Sequence, residues 1–135
     1  MPKSLTYTQI TSDIEVRVEP FYLGDHSNPR LSQFVWAYNI VIQNRGKRRV
    51  QLMNRHWRII DGQGRVQEVH GAGVVGEQPV LNPGEMFSYS SHTVLPTETG
   101  FMGGTYDMLA ENGHHMKVNI PNFSLDLPRV QHTLN

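Results

Sequence analysis

The chain contains no cysteine, so disulfide scaffolds, thiolate metal sites and cysteine nucleophiles are excluded from its chemistry. It also lacks net charge: 12 Lys plus Arg balance 12 Asp plus Glu, and no overall field draws it to nucleic acid or anionic lipid. No run of about 18 apolar residues occurs, and the start, Met1-Pro2-Lys3-Ser4-Leu5-Thr6-Tyr7, has no apolar signal core. A soluble cytoplasmic protein with no nucleic-acid and no membrane partner is therefore expected. No stretch carries a convincing helical repeat of apolar residues either, which excludes helix bundles and helix-covered parallel sheets.

What the 135 residues do contain is a succession of short strand patterns, in a chain long enough to bury about two-thirds of its unfolded surface as one domain. After a polar lead-in over residues 1–12, Ile14, Val16 and Val18 alternate with Glu15, Arg17 and Glu19, the two-residue period of a half-buried strand. Phe34, Trp36, Tyr38, Ile40 and Ile42 repeat that pattern in a segment apolar on both faces, so this strand is placed centrally. Val50–Ile60 and Arg65–Val69 flank the turn Asp61-Gly62-Gln63-Gly64 and predict a hairpin. Met86–Val94 and Met102–Leu109 follow, and Asn112-Gly113 links the latter to a return strand over His114–Ile120. Pro121 then marks an edge or a stop. Seven to eight strands with turn signals about every 8–12 residues predict an all-β fold, an antiparallel β-sandwich of immunoglobulin or fibronectin III type. A small barrel is the alternative. The domain is bounded at residues 10–127, with 1–9 and 128–135 as flexible flanks.

Between the hairpin and the next strand lies GAGVVGEQP, residues 71–79, which spells the glycine spacing of a phosphate-binding turn. That turn needs a following helix, whose N-terminal N–H groups meet the phosphate. Here Val74–Gly84 holds two prolines and two glycines, and forcing it into a helix would cost roughly 8 kcal/mol at about 3 per proline and 1 per glycine. That rivals a domain's whole stability of about 5–15 kcal/mol. Gly71, Gly73 and Gly76 are accordingly read as an irregular loop between strands, a candidate phosphate or partner loop in which consecutive N–H groups could still form an anion nest.

Other constellations carry less. The seven histidines, His26, His56, His70, His92, His114, His115 and His132, include no H-x-H or H-E-x-x-H spacing, and strand neighbours such as His114 and His115 point to opposite faces, so no metal site is assigned. Ser88, Ser90 and Ser91 lie near His92 but without a nucleophile elbow, and the acids Asp61, Glu68, Glu77, Glu85, Asp107 and Glu111 are scattered. No catalytic residue and no cofactor are expected, and an enzyme is not. The basic cluster Arg45, Lys47, Arg48 and Arg49 reads as a solvated hairpin tip, or as a phosphate-attracting patch if it reaches the glycine loop.

Taken in order, Leu52, Arg55-His56-Trp57, Asp61 with Gly64, the 71–79 segment, Leu81, Pro83-Gly84-Glu85, Tyr89, Met102-Gly103-Gly104, Tyr106 and Ile120-Pro121 with Phe123 resemble the ApaG family over about residues 10–127. The resemblance implies a fibronectin III-like sandwich and a small bacterial protein without established catalytic residues, linked to cobalt tolerance and magnesium efflux. Similar domains in eukaryotic F-box proteins and a polymerase-delta-interacting protein are thought to serve protein–protein recognition. By the same resemblance Gly71, Gly73 and Gly76 match the family's proposed nucleotide or pyrophosphate loop. Met116 stands where many relatives carry an aromatic residue, and residues 129–135 match nothing in the family pattern. The expectation is a binding module whose partner is another protein, with a homo-oligomer left open and with phosphate or nucleotide binding at the glycine loop as the alternative.

Overall fold

Apolar side chains at every second position of residues 14–18 and 34–42 must all face one way, and burying that face against a second layer decides the architecture. In a computed structural model, which describes residues 5–127, this layer is a second sheet. Nine strands are present among the described residues: β1 (Tyr7–Thr11), β2 (Ile14–Tyr22), β3 (Phe34–Asn44), β4 (Val50–Asp61), β5 (Val66–Ala72), β6 (Val80–Leu81), β7 (Met86–Leu95), β8 (Gly100–Ala110) and β9 (His115–Ser124). One antiparallel sheet has the order β1-β2-β3-β7. The other runs β5-β4-β8-β9, with β6 continuing the β5 edge beside β4. Two short 3₁₀ turns, Gly24–His26 and Pro29–Leu31, lie in the β2–β3 connection, and no helix among the described residues is long and apolar enough to cross a membrane. The expected all-β sandwich is thus observed. It does not close into a barrel, because β5 and β7 are not hydrogen-bonded to each other.

The core lies between the sheets. Ile14, Val16, Val18, Trp36, Tyr38, Ile40 and Ile42 meet Leu52, Trp57, Met102, Tyr106, Met108, Val118 and Phe123. Trp57 packs edge-on against Phe123 at 6.0 Å between centroids and tilted against Tyr38 at 5.3 Å, geometries that aromatic quadrupoles favour. Two charged or polar residues break the apolar rule, and both are paired. Glu15 meets Arg17 at 2.9 Å and Arg45 at 2.5 Å. The Asn44 side chain donates to the carbonyls of Arg48 and Leu81 and accepts from the Gly46 N–H, closing the β3–β4 turn. Burial without such partners would cost each group on the order of 1–3 kcal/mol or more.

Two extra residues reset the alternation. A bulge at Met53 separates the pairs Leu52↔Met108 and Asn54↔Asp107, so β4 buries even positions before it, Val50 and Leu52, and odd positions after it, Trp57 and Ile59. A second irregularity, between Met102↔Phe123 and Gly104↔Ile120, absorbs Pro121 in edge strand β9, so the strand continues to Ser124 instead of stopping.

The polar lead-in differs from expectation. Residues 7–11 form β1, paired in register from Tyr7↔Val18 to Thr11↔Ile14, so the expected domain start at residue 10 falls inside a strand. Tyr7 packs on Phe123 at 6.1 Å, while the Tyr7 and Thr11 hydroxyls accept from the N–H groups of Ser124 and Asn119 on β9. This laces the two sheets together along one side. Of the flanks expected at 1–9 and 128–135, residues 1–4 and 128–135 lie outside the described residues.

Candidate functional site

The opposite side of the sandwich is open, and the glycine segment sits there. Gly71 is the penultimate residue of β5, directly across from Arg55 on β4. Because the Met53 bulge turns Arg55 inward, its guanidinium lies flat where a Gly71 side chain would stand: a Cβ there would come within 2.7 Å of it. Arg55 Nη1 donates to the carbonyls of Ala72 (3.0 Å) and Gly73 (2.9 Å). Gly73 has φ +62°, and a Cβ would lie 2.1 Å from the Glu77 carbonyl oxygen, so only glycine fits. Its N–H donates to the carbonyl of the bulged Met53, which also accepts from Gln78 Nε2.

Beyond Gly73 the chain forms a tight two-residue turn, not the irregular loop expected from sequence. Val74 and Glu77 exchange both backbone hydrogen bonds (2.8 and 2.9 Å), and the two residues between them, Val75 (φ +42°) and Gly76 (φ +81°), are left-handed, as in the turns that suit twisted strands. The three candidate glycines are therefore strung along a strand end, its exit and a turn tip. The N–H groups of Gly73, Val74 and Glu77 are bonded within the protein. Val74 is fully buried, and Val75 is 54% exposed.

Between the β5 and β7 edges runs a groove of about 350 Å³, lined by Trp57, Val69, Val75, Tyr89, Ser91 and Thr93 among others. At its base the hydroxyls of Tyr89 and Tyr106 share a buried 2.5 Å hydrogen bond. Burial pushes the phenols of both, and of Tyr38, above the usual tyrosine value. A hydrogen bond with Ser91 and the Arg55 charge offset this in part for Tyr38. All three are neutral hydroxyl groups at physiological pH. One rim of the groove is β7, whose outward-facing residues are Met86, Ser88, Ser90, His92 and Val94.

The remaining sequence candidates are dispersed. Arg45 is committed to Glu15, and it is Arg55, not the 45–49 cluster, that bonds the glycine segment. Ser88, Ser90 and Ser91 are ordinary strand residues of β7. His115 bonds Asp107 at 3.2 Å. One grouping was not anticipated. On the outer face of the five-stranded sheet, His56 and His70 are cross-strand partners with stacked rings, 4.1 Å between centroids and 11° between planes, and His56 Nε2 lies 2.7 Å from Glu68 Oε1. Counting outward from the Asp61–Gly64 turn places His56 opposite His70, so hairpin register was the signal that could have found it.

Comparison with known proteins decides the family. The ApaG domain model matches residues 24–110. Protein ApaG of Paramagnetospirillum magneticum is 57% identical over 129 residues, covering 96% of this chain and 99% of its own. The chain belongs to the ApaG family. Protein ApaG of Rhodospirillum centenum is 55% identical across 90% of this chain and 94% of its own. Among solved structures, the putative ApaA protein of Bordetella pertussis superposes with a TM-score of 0.84 at 48% identity, over 87% of this chain and 96% of that one. The fold described above is thus that of an ApaG domain.

Proposed function

We propose that the protein is a non-catalytic binding module that takes up an extended segment of another protein along β7. The observation that supports this most is β7 itself. It is ten residues long, hydrogen-bonded only to β3, and carries no acidic residue, no lysine or arginine and no proline. Exposed edges in folded proteins are normally guarded by charge, proline or a bulge, because their unpaired N–H and C=O groups template another strand. Strand addition uses such an edge for affinity and adjacent pockets for specificity. The groove beside β7 supplies the pocket, and Val75 stands exposed at its rim in a backbone region that β-branched residues rarely adopt. Because three N–H groups of the glycine turn are already bonded internally, this reading places its role in partner contact rather than phosphate binding. In this reading the protein acts in the cytoplasm, and the cobalt and magnesium phenotypes implied by the family resemblance are exerted through the partner held there.

The test is capture of partners from cell extract on immobilised protein, followed by hydrogen exchange of the protein with a captured partner. Slowed exchange at the β7 amides, together with weaker capture by Val75→Asp, is expected. Recovery of background proteins alone, or protection confined to other surfaces, would defeat the proposal. Self-pairing through β7 would show instead as a mass that rises with concentration in sedimentation.

A further inference from the structure

The structure assigns a second, separate site: we infer that His56, His70 and Glu68 bind a divalent late transition ion of the zinc or nickel class on the outer face of the five-stranded sheet. This inference does not rest on the β7 reading, since the three side chains project from β4 and β5 away from the groove between the sheets. One donor atom from each lies within 4.8 Å of the others. Ligands of a tetrahedral ion with metal–nitrogen bonds of about 2.0–2.1 Å are roughly 3.4 Å apart, so closure asks for a little over 1 Å of donor movement and for the two stacked rings to turn until their lone pairs converge. Glu68 and His70 are exposed on an edge strand, and the side chain each of them contacts there is that of His56, itself a member of the set.

The donor set also selects the ion. Two imidazoles and one carboxylate suit zinc and its neighbours, whereas magnesium requires a near-octahedral shell of oxygens. Three protein ligands leave a coordination position free for water or for a donor from another molecule. Without the ion, His56 Nε2 and the Glu68 carboxylate are joined by a hydrogen bond; on binding, that nitrogen's lone pair goes to the metal and any proton it carries is released to solvent. The surroundings are mixed in charge: Arg58 faces Glu68 across the strand pair, while Lys117 and Asp107 line the shallow depression beside His56 and His70. An ordinary surface ion pair would explain His56 with Glu68. It would not explain why His70 lies over His56 with a donor atom of each of the three residues within 4.8 Å of the others.

Calorimetric titration of the full-length chain, free of any purification tag, with Zn²⁺ and separately with Mg²⁺ tests the site. One Zn²⁺ per chain and no Mg²⁺ uptake are expected. Glu68→Gln and His70→Gln should each weaken Zn²⁺ binding at least about tenfold, the lower end of what even an outer-shell partner costs when removed. The control His26→Ala with His114→Ala should bind as the native chain does. Circular dichroism establishes that each variant is folded, and an ion-induced shift of the His56 and His70 ring signals in NMR provides a readout that needs no substitution. Absence of Zn²⁺ binding at submillimolar concentration, or binding that survives both site variants undiminished, overturns the inference.

Discussion

At the scale of single residues, the base of the groove depends on a few polar atoms that cannot turn to water. The Tyr89 and Tyr106 hydroxyls satisfy one another, with Tyr106 fully buried. Tyr89→Phe should therefore cost about 1–3 kcal/mol by leaving Tyr106 unpartnered, and Tyr106→Phe a similar amount. The double variant should cost clearly less than the sum, because it removes both halves of the pair. Urea denaturation of the four proteins checks this, and strictly additive losses would mean that the bond contributes nothing of its own. The apolar partners of this pair were readable from alternation, as with Ile14, Val16, Val18 and the inward face of β3. Arg55 was not. Its inward direction follows from one bulged residue, and nothing in the composition around Met53 marks that residue as extra.

At the scale of elements, strands with one wet face announced themselves, and those without contrast did not. Residues 7–11 are largely exposed on both sides of β1, so no alternation was present to read, and β6 has only two residues. The turn within 74–77 was hidden for another reason: its first central position holds valine, a residue that avoids positive φ, where asparagine would have advertised the turn. Val75→Asn should relieve that strain and stabilise the protein by about 1 kcal/mol, raising the urea midpoint without altering the slope. An unchanged or lower midpoint would show that the valine is unstrained or compensated elsewhere. If the gain appears together with weaker partner capture, the strain is retained for binding. The candidate metal ligands belong to this scale as well. They are 14 positions apart at most in sequence and become neighbours only through the hairpin register, which spacing rules written for helices and loops do not consult.

For the whole molecule, charge balance holds at neutral pH and is lost in acid, where protonated carboxylates leave the 12 Lys plus Arg unopposed, and particular carboxylates add their own contributions to that general repulsion. Asp61, which closes the β4–β5 turn, is the clearest case. Desolvation raises its pKa, but the N–H groups of Gln63 and Arg65 and the Arg65 guanidinium outweigh that and hold it below the usual carboxyl value. A carboxyl lowered on folding stabilises above its unfolded pKa of about 4, and that contribution is lost as the pH falls through the lower folded value. Asp61→Asn should thus be less stable than the native chain at neutral pH, with the gap narrowing below about pH 4. Thermal melts across pH 2–7 measure it, and a gap that does not narrow with acid would remove Asp61 as the cause.

The two long sides of the sandwich are bound differently, like a book with one sewn spine. Along β1 and β9, hydroxyl-to-amide links and the Tyr7 ring stitch the covers together. Along β5 and β7 no backbone ladder joins them. Local opening of the layers is therefore expected to hinge on the stitched margin and to widen the unstitched one, with neither sheet unfolding.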